Sequence, residues 1–463
     1  MITWVPLINS SCGGITVDFL LQPLREDIRK LEYLGMLSQA RELIRNDLAN
    51  RRLPEAYRRR LEFELLRISL LMETYPLTEK EAFALFRKKF KDATKGEFQR
   101  LVASGMIDWR WIENERRFEK RFDINLAFKY KEYTKRMKPD KERIRRMKMV
   151  NKTISRLLKT KKPKSYKIVA RITLRKKNGI GEKVRVWLPF PKEGFQQSDV
   201  KLMASSHPPI IASNEQLQRT VYMEGLDLDE FWVEFEYKIT EWLGSKQKLG
   251  KSERPLDSDL KPKPPHVVFS DFLWNLLDLI FSGKDFRQLP PLERARIIYD
   301  YITLNVKYSY VLPYALYDNI PEYVATTLTG DCGFQALLFI TLCRMVGIPA
   351  RWQSGWFVLP WSASPHDWAL IFTEEYGWVP VDLSFGGARR DDENLRLFYF
   401  TNLDGYRMFS NIDFQVDFDP PKRKFRLDPY DNQTGEMEYI DDFKETVIDL
   451  EHDMKVLSFE ELK

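Results

Sequence analysis

The chain has few of the residues that build disulfide or metal sites. Its 463 residues include three cysteines and four histidines. The cysteines, Cys12, Cys332 and Cys343, are too few and too far apart for a disulfide scaffold. The sequence also lacks C-x-x-C and H-E-x-x-H motifs, which are spacings that commonly hold zinc. We therefore expect no disulfide framework, no metal site and no cofactor.

Long apolar segments are also absent. No uncharged apolar run reaches the roughly 18 residues that a membrane-spanning helix requires. The first six residues, Met1 to Pro6, lack the basic start and apolar stretch of a secretion signal. We therefore expect no contact with a membrane, and we predict a cytoplasmic protein.

Apolar side chains are plentiful enough for several packed cores. Hydrophobic residues make up 43% of the chain and aromatic residues 13%, which excludes a disordered polypeptide. A chain of this length is expected to form about two to four domains. The net charge of +7 is unevenly spread, because Lys141–Ser165 holds eleven basic residues and one acid. Such a segment could contact nucleic acid, but a solvated helix is the commoner origin, so we do not expect nucleic acid as a partner.

Hydrophobic periodicity divides the chain into helical and β-rich parts. Leucines and aromatics recur at helical spacing from about residue 16 to residue 107, for example over Asp27–Ile44 and Pro54–Leu71, and residues 1–150 are predicted to form a mainly helical region. Within this part, two helices followed by two alternating strands have the outline of a winged helix, an order that structural modules share. Short alternating strands over residues 166–243 indicate a small β-sandwich-like domain.

Composition separates the rest of the chain into three further segments. Residues 244–265 are rich in Lys, Ser, Pro and Gly and predict an exposed linker. A second compact region of helices and strands spans residues 266–415. The acidic residues 416–463 are interpreted as a C-terminal extension. The whole chain is thus predicted to be an α+β multidomain protein.

A cysteine flanked by glycines precedes the most apolar segment of the chain. Gly330-Asp331-Cys332-Gly333 opens the run Phe334–Met345, which is apolar nearly all round and typical of a buried helix. The dipole at such a helix start lowers the pKa of a thiol, and the backbone N–H groups there can bind an oxyanion. The Asp331 carboxylate would oppose this pKa shift. A lone cysteine is more often a packing residue, which is how we interpret Cys343.

A predicted hairpin downstream supplies an imidazole and a carboxylate. His366 begins one alternating run, and Asp382 lies near the end of the returning strand. In an antiparallel hairpin, early residues of the first strand lie opposite late residues of the second, so these two residues should be close. A carboxylate in that position can orient an imidazole and stabilise its charged form. Asp367 is a competing orienter, but adjacent strand residues point to opposite faces, so we favour Asp382.

Together these residues resemble the transglutaminase-like superfamily of bacterial type, which has a papain-like cysteine-enzyme core. The motifs that carry the resemblance are Gly330-Asp331-Cys332-Gly333, Gly347-Ile348-Pro349-Ala350-Arg351, His366-Asp367-Trp368 and Tyr376-Gly377-Trp378 leading to Asp382. The β-rich part and the later segment Asp428–Glu436 also resemble parts of bacterial members. The resemblance implies that residues 266–415 form a transglutaminase-like α+β core.

The resemblance also implies a catalytic triad. Cys332 would be the nucleophile, His366 the general base and acid, and Asp382 the residue that orients the imidazole. The implied reaction is acyl transfer or hydrolysis at amide bonds of a peptide or protein through a thioester. We favour hydrolysis, because a cytoplasmic cross-linking enzyme would threaten the proteins of its own cell. A second oxyanion donor is implied upstream of the cysteine, with four candidates: Tyr308, Tyr310, Asn319 and Tyr323.

A non-enzymatic alternative remains open. The same family includes catalytically silent scaffolds, and such a protein would act in protein or nucleic-acid binding. The winged-helix outline and the basic segment would then carry the contact. The sequence does not indicate whether the protein is a monomer or an oligomer.

Overall fold

The computed structural model describes residues 22–244, 253–426, 431–441, 444 and 446–463. Cys12, residues 245–252 of the predicted linker and the start of the Asp428–Glu436 segment lie outside these residues. The described chain combines helical, β-rich and mixed parts. This confirms the predicted α+β multidomain class.

The N-terminal part is mainly helical. Its elements are α1 (Glu26–Tyr33), α2 (Leu37–Leu48), α3 (Glu55–Thr74), β1 (Leu77–Thr78), α4 (Glu79–Lys89), α5 (Lys95–Ala103), β2 (Trp109–Ile112), β3 (Glu115–Phe118), α6 (Phe122–Lys129) and α7 (Lys131–Arg136). The strands form one sheet in the order β1-β3-β2, so α3 to β3 has the outline of a winged helix. The helix predicted over Asp27–Ile44 is divided at Gly35, whose φ is 75°. A Cβ at Gly35 would lie 2.1 Å from the carbonyl oxygen of Trp111, so the break lets the β2 backbone approach closely.

A long helix, α8 (Lys141–Thr160), leads from the helical part to the β-rich part and carries most of the basic segment. Val150, Ile154 and Leu157 form its buried face, and most of its basic residues are exposed. At its C-terminal end, Arg156 contacts the fully buried carboxylate of Glu241. This carboxylate also accepts hydrogen bonds from the backbone N–H of Lys164 (2.8 Å) and the hydroxyl of Tyr166 (3.0 Å). The buried charge therefore joins α8 to the first strand that follows it.

The β-rich part consists of strands with one buried and one more exposed face. They are β4 (Ser165–Lys176), β5 (Lys183–Pro189), β6 (Gln197–Ser205), β7 (Ile210–Ile211), β8 (Thr220–Leu226), β9 (Phe231–Thr240) and β10 (Trp242–Leu243). Burial alternates residue by residue along β9, as the sequence pattern predicts for a sandwich strand. The buried side chains of β4, β5, β8 and β9 form one apolar core.

The mixed part places one helix against a central antiparallel sheet. Its elements are α9 (Asp271–Ile280), α10 (Pro291–Asn305), β11 (Lys307–Tyr308), α11 (Ile320–Thr327), β12 (Thr329–Gly330), α12 (Cys332–Met345), β13 (Ala350–Leu359), β14 (Ser362–Thr373), β15 (Gly377–Val381), α13 (Leu383–Gly387), α14 (Glu393–Phe398), β16 (Asn402–Leu403) and β17 (Arg407–Asn411). The sheet order is β15-β14-β13-β17. Helix α12 packs against one face of this sheet, and its residues from Gly333 to Met345 are buried.

The C-terminal residues are strands of the β-rich domain, whereas the sequence predicts a separate acidic extension. β18 (Glu436–Tyr439) pairs with β5, and β19 (Leu450–Leu462) pairs with β4. The two sheets of the domain therefore have the orders β18-β5-β8-β7 and β19-β4-β9-β6. Strand β19 lies at a sheet edge and keeps most of its acidic residues exposed. Such charges are tolerated on an edge strand, and they obscure the strand pattern in the sequence.

The β-rich and mixed parts share packing as well as chain connections. Trp356 and Val358 of β13 and Met408 of β17 contribute to the core of the β-rich domain.

Across the residues that the structure describes, no helix is long and apolar enough to cross a membrane.

The Glu241 contact generates a stability prediction. Replacing Glu241 with Ala removes the partner of the 26% exposed Arg156 and the acceptor of the Lys164 N–H and the Tyr166 hydroxyl, so we expect the free energy of unfolding to fall by about 1–3 kcal/mol. The control is Glu374→Ala, because the Glu374 side chain is 79% exposed in its ion pair with Arg254. That change should cost less than about 1 kcal/mol. Urea unfolding followed by circular dichroism measures both, and equal losses would contradict the buried role of Glu241.

Candidate active site

The start of α12 holds Cys332 in a defined position. Asp331 is the N-cap of this helix, and its carboxylate accepts a hydrogen bond from the backbone N–H of Phe334 (2.9 Å). The Tyr314 hydroxyl donates to the same carboxylate at 3.1 Å. A Cβ on Gly333 would lie 2.0 Å from the Tyr314 hydroxyl and 2.7 Å from the ring of Trp352. Glycine at position 333 therefore allows the helix end to approach the sheet.

The thiol of Cys332 contacts a carboxyl group. Its Sγ lies 3.1 Å from Oδ2 of Asp367 on β14, and the thiol is the donor. Burial raises the pKa of Cys332 well above its ordinary value, and the charges of Asp367 and Asp331 raise it further. The sequence pattern predicts that the helix dipole lowers this pKa. Burial and the two carboxyl groups outweigh the dipole, so the pKa of the thiol rises.

Asp367 belongs to a buried cluster of carboxyl groups and neutral donors. Gln433 donates a hydrogen bond to Oδ1 of Asp367. Asp431 accepts from the indole N–H of Trp352 (3.1 Å) and from the hydroxyl of Ser354. Burial raises the pKa of Asp431 to about 6 and that of Asp331 to about 6, although their hydrogen-bond donors oppose the shift. Burial, with the nearby charge of Asp431, also raises the pKa of Asp367 well above its usual range.

His366 and Asp382 form a second buried pair. The Nε2 atom of His366 lies 2.7 Å from Oδ2 of Asp382. Asp382 follows β15 directly and caps α13, where its Oδ1 accepts the backbone N–H of Phe385 (3.0 Å). Arg407 approaches the same carboxylate at 3.0 Å. Burial alone would raise the pKa of Asp382, but His366 and Arg407 lower it below its usual value. Burial lowers the pKa of His366, and the Asp382 charge opposes that shift.

The two pairs lie on opposite faces of the central sheet. Asp367 pairs with Ser354 across the ladder, whereas His366 pairs with Gly355. Because side chains alternate along a strand, Asp367 points to the α12 face and His366 to the other. The His366 ring accordingly lies 4.6 Å from that of Phe385, measured between centroids. Within the described residues, no hydrogen bond joins Cys332 to His366.

The structure thus brings together two of the three triad residues expected from the sequence. It places Asp367, the competing orienter, at the thiol. The sequence interpretation missed the cluster residues Asp431 and Gln433, which come from beyond the predicted core. The only sequence signal for them was the resemblance of Asp428–Glu436 to the tail of bacterial members.

The four oxyanion candidates have different surroundings. Burial raises the pKa of Tyr308, and the neighbouring Cys332 contributes to the same shift. Tyr310 packs on Phe128, with ring centroids 5.7 Å apart. Asn319 caps α11. Tyr323 packs on Phe334, with ring centroids 5.9 Å apart. The sequence did not indicate Tyr314, whose hydroxyl lies at the helix start.

A comparison with protein families identifies this region. Residues 284–383, which include Cys332, His366 and Asp382, match the model of the transglutaminase-like superfamily. This part of the chain is a transglutaminase-like core. At the level of the family, the assignment supports a cysteine-based enzyme. A search of the curated proteins finds no match.

Solved structures similar to this chain are distant in sequence. A proposed cysteine protease from Cytophaga hutchinsonii is 14% identical, with 65% of this chain and 98% of that chain covered and a TM-score of 0.41. The periplasmic domain of TgpA from Pseudomonas aeruginosa is 13% identical, with 49% and 91% covered and a TM-score of 0.26. The same domain bound to ethylmercury is 14% identical, with 47% and 90% covered and a TM-score of 0.26.

The carboxyl cluster of the transglutaminase-like core predicts an unusual pH dependence of stability. Because the folded-state pKa of Asp431 is raised from 3.8 to about 6, the folded state binds more protons than the unfolded state between these values. The stabilising contribution of protonated Asp431 is therefore present below about pH 4 and is lost as the pH rises through about 6.

The variant Asp431→Asn keeps an acceptor oxygen but cannot ionise. Relative to this variant, the wild type should lose roughly 1 to 3 kcal/mol of unfolding free energy as the pH rises through this window. Urea unfolding at a series of pH values gives the difference between the two proteins. Parallel pH profiles would contradict the raised pKa of Asp431.

Proposed function

We propose that this protein is a cysteine-dependent hydrolase of amide bonds in peptides or proteins. The observation that carries the proposal is the half-buried thiol of Cys332 at the first residue of the buried helix of a transglutaminase-like core. Backbone N–H groups of the first helical turn have no partner within their own helix. The N–H of Phe334 donates to Asp331, so those of Cys332 and Gly333 are the ones that can donate to an oxyanion that forms beside Cys332.

The reaction has two steps. In the first, the Cys332 sulfur attacks the amide carbonyl carbon, a C–S bond forms and the C–N bond breaks, and the amine leaves with a proton from the general acid. In the second, water attacks the thioester and releases the carboxylic acid and the thiol. An amine in place of water would give a new amide, which is the cross-linking outcome.

We propose His366, oriented by Asp382, as the group that takes the thiol proton and passes it to the leaving amine. Their 2.7 Å contact and the lowered pKa of Asp382 support an imidazole held beside a permanent negative charge. The Cys332–Asp367 contact is then a resting arrangement that keeps the thiol protonated. Because His366 and Asp367 point to opposite faces of β14, the proton reaches His366 only if the start of this strand shifts its register by one residue and presents His366 to the thiol.

We favour hydrolysis over cross-linking for the second step. An unregulated cross-linking enzyme would damage the proteins of its own cell, whereas hydrolysis carries no such cost. Mass spectrometry of a glutamine-containing peptide incubated with a primary amine distinguishes the two outcomes. A product that takes up water supports hydrolysis, whereas a product that contains the amine supports transfer.

Replacing the nucleophile tests the function itself. Cys332→Ala should reduce amide hydrolysis of a peptide panel by about 10³-fold or more, because no other group can form the thioester. The matched control is Cys343→Ala, since Cys343 is fully buried within α12 and should leave turnover within about twofold. Acid quenching during turnover should trap an acyl-enzyme on Cys332 in the wild type. Turnover that survives in Cys332→Ala would contradict the proposal.

A pair of variants distinguishes the role of Asp367 from that of His366. In Asp367→Asn, loss of the carboxylate lowers the thiol pKa, so alkylation of Cys332 by iodoacetamide at neutral pH should accelerate about tenfold. In His366→Gln, turnover should fall by about 10³-fold while alkylation changes little. Peptide mapping of the alkylated protein keeps Cys332 distinct from Cys12 and Cys343. The opposite pattern, an inactive Asp367→Asn and an active His366→Gln, would assign the proton to Asp367 and reject the proposed triad.

A silent scaffold is the second candidate function. The observation that favours it is the thiol itself, whose pKa is raised and whose neighbour is a carboxyl group instead of an imidazole. In that case neither the wild type nor Asp367→Asn should form an acyl-enzyme or turn over any peptide. Detection of the acyl-enzyme in either protein rejects the scaffold.

A further inference from the structure

A groove of about 530 Å³ separates the helical N-terminal part from the transglutaminase-like core. One wall consists of the turn between α6 and α7 and the start of α8, and the other consists of β11 and the residues after Asp382. Tyr308 and Gln335 line it on the core side. Gln335 follows Cys332 by three positions in α12, so the two side chains lie on the same side of the helix. The groove therefore comes within one helical turn of the proposed nucleophile, although Cys332 is not itself a lining residue.

Direct contacts hold the two walls at a fixed separation. The ring of Phe128 packs against that of Tyr308, with centroids 5.6 Å apart. The Asn125 side chain donates to the carbonyl oxygen of Tyr310 (3.1 Å) and accepts from its N–H (2.8 Å). The Lys307 ammonium donates to the carbonyl oxygen of Lys129 at 3.0 Å. The groove is thus a built feature of the docked helical part and not a gap between loosely joined domains.

The groove is lined by more positive than negative side chains. The basic residues are Lys129, Lys131, Arg143, Lys307 and Arg390, and the acidic residues are Glu132 and Asp391. Over the ranges that the structure describes, none of these basic side chains has a carboxylate within ion-pair distance. Those of Lys307 and Arg390 donate to backbone carbonyl oxygens instead. Lys129 also interacts with the charges of Asp108 and Glu119, and Arg390 with that of Asp391. The charge left to attract a negatively charged ligand is therefore mainly that of Lys131, Arg143 and Lys307.

The side-chain oxygen of Gln335 is a buried hydrogen-bond acceptor in the wall of the same groove. The Gln335 side chain is 1% exposed, and its Nε2 donates to the carbonyl oxygen of Gly330 at 3.0 Å. In the described structure its Oε1 is buried without a hydrogen-bond partner. A buried unpaired acceptor is unfavourable by about 1–3 kcal/mol, so a ligand N–H that reached it would be stabilised. A peptide supplies such an N–H in its backbone, whereas a phosphodiester backbone has none.

We propose that this groove binds an acidic segment of the peptide or protein substrate. The basic side chains pair with the carboxylates of the segment, and Gln335 accepts a backbone N–H close to the amide that Cys332 attacks. The identification of the ligand as substrate rests on the function proposed above. The charge of the groove thereby selects among peptides that share the same reactive amide.

Peptide binding tests the selection without requiring turnover. The experiment uses the full chain with Cys332→Ala and dye-labelled peptides, one with clustered glutamates and one with glutamines in their place. Fluorescence anisotropy should show about tenfold tighter binding of the glutamate peptide, and added salt should weaken that preference. The double change Lys131→Glu and Lys307→Glu should abolish the preference. The control, Lys148→Glu with Lys152→Glu, makes the same charge change at exposed positions of α8 outside the groove and should retain it.

The results separate this proposal from the proposed function. Equal binding of the two peptides, or an equal loss in both double variants, overturns the groove assignment and leaves the nucleophile untouched. Acidic-peptide binding without any acyl-enzyme in the wild type supports the groove and rejects the hydrolase. A single-stranded oligonucleotide that binds more tightly than the glutamate peptide, and loses affinity through Lys131→Glu with Lys307→Glu, overturns the peptide in favour of nucleic acid.

Discussion

The arrangement of this site depends on the burial of α12. Its residues from Gly333 to Met345 are buried, so the first turn of the helix has to be satisfied by protein groups. The Asp331 carboxylate does this by accepting the Phe334 N–H, and the Tyr314 hydroxyl supports it in turn. The cap and the absence of a side chain at Gly333 then bring the Cys332 sulfur against β14.

The buried carboxyl groups on the two faces of the central sheet have pKa shifts in opposite directions. On the Cys332 face, the carboxyl groups contact neutral donors such as Gln433 and the indole of Trp352, so desolvation dominates and their pKa values rise. On the other face, Arg407 contacts Asp382, and the pKa of that carboxyl falls despite its burial. One sheet thus separates a cluster of carboxyl groups with raised pKa values from a histidine–aspartate pair whose carboxyl group has a lowered pKa.

Much of the fold could be predicted from local patterns. Strands such as β4, β5 and β9 follow the alternation of their residues, because one face of each is buried in a sandwich. The break between α1 and α2 could not be predicted, since it results from contact between Gly35 and the distant Trp111. The sequence also did not predict that β19 is a strand. An edge strand tolerates many charges, so its composition resembles that of a tail.

The sequence by itself determined which reactive groups are available: a cysteine at the start of a buried helix, and a histidine near a carboxylate across a hairpin. In the structure, His366 Nε2 lies 2.7 Å from Asp382 Oδ2. This contact could be predicted because proximity across a hairpin follows from local strand pairing. Only the tertiary structure decided that Asp367, and not its neighbour His366, faces the thiol. The face of β14 that α12 covers is set by packing between elements distant in sequence, and a shift of one residue exchanges the two side chains.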